Sequence, residues 1–372
     1  MNTVTIQPWN IQEFKEKKIE WTDLLNSSDA DKLFLSWEWQ YSWWDTFAPL
    51  HNLDLTLLAA YDKHNILIGI APLYTIKSKT KKFINTKQLQ FIGNICRGKS
   101  TMLTEFIDFI VARENSSNIK HAFLEYINKK LEWDEFHLPE LKKESSTYSF
   151  LIKANTLPNS HIRIVDEYKS YYVDTTSQFS NYISQRGKNT RLRMFNRRKV
   201  LNAKGDLTIR RAAESEIDEH FELLNDLHQK RWGKKIFTGE RLIFNTNVAK
   251  EMAKRGCLNF SVLLMNNEPI SIQFNYIVNH HEYNIQAGFE EEFDKKIALG
   301  YLHFGYEVET AFENETLIYD FLAGEGKNTN YKERLTDTFH DMIQLQIIRK
   351  RSLKYLYLIN DFLGHLKQKL TA

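Results

Sequence analysis

Residues Gly93-Asn94-Ile95-Cys96-Arg97-Gly98-Lys99-Ser100 satisfy the spacing G-x-x-x-x-G-K-[ST]. In a phosphate loop of that pattern, backbone N–H groups and the lysine cradle phosphates while the hydroxyl holds magnesium. A second group lies far along the chain: Tyr319-Asp320-Phe321-Leu322-Ala323-Gly324-Glu325, then Tyr331-Lys332. There an acid emerges at a strand end, a glycine turns the chain and a second acid follows. A carboxylate so placed can act as a general base if burial raises its pKa. The plainer alternative is a buried ion pair of Asp320 or Glu325 with Arg231 or Lys332. In Leu227-His228-Gln229-Lys230-Arg231-Trp232, His228 and Arg231 stand three residues apart and share one helix face. A third stretch, Lys295-Lys296-Ile297-Ala298-Leu299-Gly300, leads from a strand into a helix. Free N–H groups, two lysines and a glycine that permits close approach suit a pyrophosphate there, although a solvated loop fits the same residues.

These groups need strands and helices to hold them, and the pattern of the chain supplies both. Leu55–Tyr61 and Ile66–Tyr74 are β-type runs around Asp62-Lys63-His64-Asn65, a hairpin signal. A third strand, Gln88–Ile92, ends at Gly93, and Met102–Ala112 has apolar residues at helical spacing. Later in the chain, 260–265 and 269–278 flank Asn266-Asn267-Glu268; a strand over 282–287 ends at Gly288, and 298–312 is helical in pattern. Hairpin, strand, glycine and helix thus occur twice in one order, which points to an internal duplication. The join falls near Thr175–Gly205, a stretch rich in arginine and lysine (Arg186, Lys188, Arg191, Arg193, Arg197, Arg198, Lys199). The expected fold is α/β (α+β): residues 1–180 and 181–345 as two domains, each a mixed, mostly antiparallel sheet flanked by helices, then 346–372 as an amphipathic helix. That tail packs on its own domain or lies on a membrane surface.

The strand before Gly93 bears on the phosphate-loop reading. Gln88-Leu89-Gln90-Phe91-Ile92 alternates polar and apolar, whereas a P-loop strand is buried on both faces and reads as a continuous apolar run. A nucleotide hydrolase using Lys99 and Ser100, with Asp320 as its second acid, is therefore the weaker alternative. A polar strand-to-helix turn, or one that binds an anion without hydrolysis, is the stronger. In Phe34–Trp44, Trp37, Tyr41 and Trp44 recur at i, i+4 and i+7 behind a Ser36 N-cap, as a core contact or a stacking wall.

Composition narrows the classes. The chain has 372 residues, 42% hydrophobic and 26% charged, which excludes a disordered or fibrous protein and leads us to expect two domains. A net charge of +3 does not announce nucleic acid. Two cysteines far apart in sequence, Cys96 and Cys257, fit a reduced cytoplasmic protein with no metal. Residues 1–10 lack a signal-peptide pattern, and no stretch is apolar enough to span a membrane.

The ordered set of motifs resembles the acetyltransferase family typified by the CelD/BcsL proteins of bacterial cellulose synthesis, within the GNAT superfamily. The matching pieces are Phe34-Leu35-Ser36-Trp37-Glu38-Trp39 with Trp43-Trp44, Ala71-Pro72-Leu73-Tyr74, Phe91-Ile92-Gly93 and the basic Arg191–Lys199 segment. They continue through Leu227-His228, Arg231-Trp232, Gly300, Tyr319–Leu322, Gly324-Glu325 and Tyr331-Lys332. The resemblance implies two tandem GNAT-like halves, an arrangement also found in Fem-type aminoacyltransferases. It further implies an acyl-CoA donor, acetyl-CoA first among them, or aminoacyl-tRNA on the Fem side. The pyrophosphate would rest on Lys295, Lys296, Ala298, Leu299 and Gly300, although this turn lacks the common glycine-rich form. Asp320, Glu325 or His228 would take a proton; Arg231, Trp232, Tyr331 and Lys332 would line the acceptor pocket. The acceptor implied is a small molecule or an envelope polysaccharide or glycolipid precursor. The Walker-like turn of the first half departs from the family.

Overall fold

The computed structural model describes residues 4–80, 84–95, 104–153, 157, 159–323 and 331–371. The chain divides into two compact units, residues 1–168 with 341–372 and residues 169–340. The final helical segment is thus part of the first unit, not a separate piece.

The first unit begins with β1 (Thr5–Trp9), α1 (Ile11–Glu16), α2 (Lys18–Asn26) and α3 (Trp37–His51). Ser36 caps α3, its hydroxyl accepting the Trp39 N–H at 3.2 Å, which satisfies one donor that the first turn of a helix leaves unpaired. Strands β2 (Asp54–Leu55), β3 (Leu57–Tyr61), β4 (Leu67–Ala71), β5 (Leu73–Thr80), β6 (Ile84–Phe91) and β7 (Ile110–Val111) follow. Then come α4 (Ser116–Lys130), β8 (Glu135–Lys142), α5 (Ser146–Lys153) and β9 (His161–Asp174), which runs on into the second unit. The chain returns with β15 (Phe339–Ile348) and α13 (Arg351–Thr371). Strands β1, β3, β4 and β7 form an antiparallel sheet. Strands β2, β5, β6, β8 and β15 lie together in one sheet, with β6 and β8 parallel. The core between sheet and α4 gathers Phe91, Phe109, Phe123, Phe136, Leu138 and Leu345.

The second unit opens with α6 (Phe179–Gln185), α7 (Lys188–Arg191), a π turn over Leu192–Asn196, and α8 (Arg198–Asn202). The basic segment read as a join is this helical run. Two of its charges are spent locally: Arg186 pairs with Asp337 at 2.6 Å, and Arg198 pairs with Glu309. Next come β10 (Leu207–Arg211), α9 (Ile217–Trp232), α10 (Glu240–Lys254), β11 (Leu258–Met265), β12 (Glu268–Val278) and β13 (His281–Phe289). The unit closes with α11 (Leu299–Glu313), β14 (Ile318–Asp320) and α12 (Lys332–Leu335). Both hairpin turns, Asn266-Asn267 and Asn279-His280, hold two consecutive residues at positive φ, the type I′ geometry that matches strand twist. Strands β10 to β13 are antiparallel neighbours; β14 then pairs parallel to β13 and antiparallel to the end of β9. The strands of each unit are therefore mostly antiparallel and flanked by helices, as the sequence led us to expect, but the first unit holds two sheets where one was expected.

One expected element is missing. Among the described residues, 104–109 are irregular and Ile110–Val111 is a strand, so the helix expected over Met102–Ala112 does not form there; α4 begins later, at Ser116. The apolar spacing belongs to a loop buried in the core through Phe106, Ile107 and Phe109.

Candidate active site in the second unit

The duplicated order places one parallel strand pair in each unit, and the two pairs end differently. Strands β6 and β8 pair only over Gln88↔Glu135 to Gln90↔His137, then part. The gap is filled by the chain itself. Asn94 grips Thr104 from both sides, its amide donating to the Thr104 carbonyl at 2.8 Å and its oxygen accepting the Thr104 N–H at 2.9 Å. The Ile107 N–H donates to the Glu140 carbonyl on β8 at 3.2 Å, and Phe109 packs on Phe91. Gly93 leaves no room for a side chain, since a Cβ there would lie 2.4 Å from the Thr104 hydroxyl. Of the Walker-like turn, Cys96–Ser100, with Lys99 and Ser100, lie outside the described residues. The polar positions of β6 are not solvated, as their alternation suggests. Gln88 and Gln90 are buried, and Glu135 accepts the Gln88 amide at 2.9 Å, so the polar face is covered as well.

The second pair stays open. Strands β13 and β14 are joined over His281↔Ile318 to Tyr283↔Asp320. The ladder between them stops at Tyr283↔Asp320, where β14 ends while β13 runs on to Phe289. Ile285 is an extra residue opposite β12, since Asn275 faces Asn284 while Phe274 faces Gln286; such a bulge bends β13 away from its neighbour. At the end of β13 the chain turns over 290–298 into α11, whose first turn has no side-chain cap. Its leading N–H groups remain available to a ligand.

Lys295 and Lys296 are exposed on that turn, Ala298 is half-buried, and Leu299 and Gly300 are buried. A Cβ on Gly300 would lie 2.6 Å from the Phe289 ring, so its missing side chain makes room for β13. Arg231, at the end of α9, lies over Phe289 at 4.5 Å and over Trp232 at 4.7 Å, and pairs with Glu291 at 3.4 Å. Tyr331 stands beside Tyr301 and Phe304; burial and Tyr301 push its hydroxyl up to about 12 against the pull of Arg231. Arg231 is thus the common neighbour of Trp232, of Phe289 at the end of β13 and of Tyr331, which itself packs on α11. His228 turns elsewhere, its Nδ1 donating to the Lys234 carbonyl at 2.7 Å. Glu325 lies outside the described residues.

Asp320 is fully buried at the point where the strands part. Burial alone would raise its pKa, but the bond from His281, the nearby His340 and the Leu322 N–H outweigh it and hold the carboxyl below its usual range. It is thus a fixed anion, and the raised pKa a base would need is absent. His281 Nε2 donates to Asp320 Oδ2 at 3.3 Å, and its ring stacks on Tyr283 at 3.8 Å. Lys332 is buried, with its three N–H groups given to the carbonyls of Phe321, Leu322 and Ala323 at 2.7, 2.7 and 3.0 Å. It shapes the loop behind Asp320 rather than lining an acceptor pocket.

Sequence reasoning missed His281 and a buried polar layer beneath α11. Polar residues of β11, β12 and β13, facing one helix, carry it. Glu282 accepts the amides of Asn259 at 2.8 Å and Asn275 at 2.7 Å. Glu307 accepts the Ser261 hydroxyl at 2.7 Å and an Arg211 N–H at 2.5 Å. His303 sits between Ser261 and Ser271, and burial, with the Arg211 charge, lowers it to about 3. Burial, reinforced by the Glu307 charge, pushes Glu282 up to about 7 from 4.5. The folded protein therefore keeps a proton that the unfolded chain releases. That contribution is complete below pH 4.5 and is lost as pH rises through about 7, because the unfolded state then gives up its proton first. His303 titrates in both proteins, so the difference between wild type and Glu282→Gln isolates the acid. Denaturant unfolding across that window should show wild type losing about 3 kcal/mol relative to Glu282→Gln. A pH-independent difference would contradict the buried, protonated acid.

Known proteins share this fold. Residues 188–333 match the family model of the acetyltransferase (GNAT) domain. FemX superposes with a TM-score of 0.60 at 12% identity, over 94% of this chain and 99% of that one. L-PGS from Bacillus licheniformis superposes at 0.54 with 11% identity, over 96% and 97%. The C-terminal domain of a putative lysylphosphatidylglycerol synthetase from Agrobacterium fabrum superposes at 0.55 with 10% identity, over 94% and 96%. No curated protein matches the chain by sequence. These identities speak for the fold alone: the chain has the mixed α/β fold of these transferase structures, and its residues 188–333 match the acetyltransferase (GNAT) domain.

Proposed function

We propose that the chain is an acyltransferase whose second unit moves an acyl group, acetyl in the simplest case, from acyl-CoA to an amine or hydroxyl. The observation that carries this reading is the opening between β13 and β14, with the uncapped start of α11 at its mouth. An acyl thioester laid in that opening would run beside β13 past the end of its ladder with β14, where a strand N–H could polarise its carbonyl as charge develops on the oxygen. The pyrophosphate of the donor would rest on the 295–300 turn, where N–H groups, the helix dipole and two lysines favour an anion. Arg231, Trp232 and Tyr331 would border the acceptor.

His281 is the proton acceptor in this reading. Asp320 is an anion and takes the Nε2 proton, which leaves Nδ1 as the basic nitrogen of the ring. As the acceptor's nitrogen or oxygen attacks the thioester carbon, its proton passes to Nδ1 and the CoA thiolate leaves. Asp320 then positions and stabilises the imidazolium. The resemblance to the CelD/BcsL-type family supports an envelope polysaccharide or glycolipid precursor as acceptor.

The test is thermal unfolding with acetyl-CoA, longer acyl-CoAs and Mg-ATP side by side. A ligand at about a hundred times its dissociation constant stabilises by roughly 2.7 kcal/mol, a visible shift in Tm. The expected result is a shift with acyl-CoA and none with Mg-ATP. A shift with Mg-ATP alone would overturn the reading in favour of the Gly93–Ser100 turn.

A further inference from the structure

The last helix has two apolar sides, and only one of them is used. Leu353 and Tyr357 of α13 are buried in a small cluster with Ile348 and Leu356 of the first unit. Asp361 fixes the next turn by pairing with Arg163 at 2.5 Å. On the other side Tyr355, Leu358, Ile359, Phe362 and Leu363 are all exposed, Ile359 and Phe362 by 60% and 63%. Their spacing, i, i+3, i+4, i+7 and i+8, is a continuous helical stripe. Large apolar side chains exposed one at a time need no explanation, but a contiguous row of them along one helix marks a surface that is covered in use.

Charge decides what covers it. From residue 349 onward the chain has Arg349, Lys350, Arg351, Lys354, Lys367 and Lys369 against a single acid, Asp361, which is already paired. Arg351 and Lys354 lie on the first turn of the helix that bears the stripe. Two copies of this helix pressed stripe to stripe would bring these like charges together, which disfavours a dimer through this face. An anionic bilayer offers what the face lacks: an apolar layer for the aromatic and aliphatic stripe, and negative headgroups for its basic residues. No helix among the described residues is long and apolar enough to cross a membrane, so the helix would lie in the plane of the surface.

We infer that α13 docks the protein on anionic phospholipid surfaces. Tyr355, Ile359 and Phe362 enter the headgroup–acyl boundary, and Arg351 and Lys354 contact the headgroups. The inference rests on the first unit alone and stands whether or not the second unit transfers acyl groups.

Co-sedimentation of the full-length protein with vesicles tests it. Phosphatidylcholine vesicles containing phosphatidylglycerol should pull the protein down, pure phosphatidylcholine far less, and added salt should release it. The double variant Ile359→Asp/Phe362→Asp should bind about tenfold more weakly or worse. Lys354→Gln should lose about fivefold. Both should keep the wild-type melting temperature, since these side chains are not in the core. Absence of wild-type binding, or binding that the double variant leaves intact, would overturn the inference. So would a wild-type dimer that the double variant splits without any vesicle binding.

Discussion

Replacing His281 by Gln should lower acyl transfer by about 10²–10⁴-fold, the usual contribution of a positioned general base. Donor affinity and melting temperature should remain those of the wild type. His281 lies at the start of β13, stacked on Tyr283, and a glutamine amide can still donate to Asp320 in its place. Asp320→Asn gives the complementary result for a different reason. An asparagine can still accept the Leu322 N–H through its oxygen, but it turns an N–H toward His281. The ring must then accept at Nε2 and carry its proton on Nδ1, which removes the basic nitrogen that the proposed transfer needs. The variant should fold and bind donor yet transfer almost nothing. Measured by thiol release from acyl-CoA in the presence of an acceptor amine or hydroxyl compound, a fully active Asp320→Asn would dismiss the proposed role of the pair.

Lys332→Met should destabilise the protein by about 4 kcal/mol. Three carbonyls in succession, those of Phe321, Leu322 and Ala323, converge on one ammonium. Leu322 holds φ at 58°, a left-handed conformation that a β-strand exit adopts only when its surroundings enforce it. Methionine fills a similar volume but satisfies none of the three acceptors. Arginine keeps the charge and still should not restore stability, because its planar fork cannot point three donors at acceptors grouped around one nitrogen. Urea unfolding reads both. A loss below about 1 kcal/mol for Lys332→Met would mean that the loop can satisfy its carbonyls another way.

How far the sequence revealed this arrangement depends on what each residue packs against. The hairpins, α11 and the strand end at Asp320 were legible because their periodicity or turn residues act locally; Asn266-Asn267 dictates its turn without help from elsewhere. The strand-to-helix turn at 290–300 followed from the repeat. The site was harder. Asp320 was found from its place at a strand end, but its partner sits on the neighbouring strand, 39 residues earlier in the chain, and no local pattern marks it. Polar alternation in β6 argued against burial of both its faces, and β11 and β12 also carry polar residues on one face. Helix α11 covers that face in the second unit through His303 and Glu307. Those two residues, four apart on one side of a helix, were the available signal that polar met polar. The irregular 104–109 segment read as a helix because a buried loop needs apolar residues too. Spacing alone does not reveal that Asn94 and Glu140 hold it.

The most direct test of the central proposal, that only the second unit takes an acyl donor, is hydrogen–deuterium exchange of the whole chain with and without acetyl-CoA. Amides of the 295–300 turn, the first turn of α11 and the β13–β14 opening should become protected, while β6, β8 and the 104–109 segment stay unchanged. Protection confined to the first unit, or no protection anywhere at saturating acetyl-CoA, would contradict it.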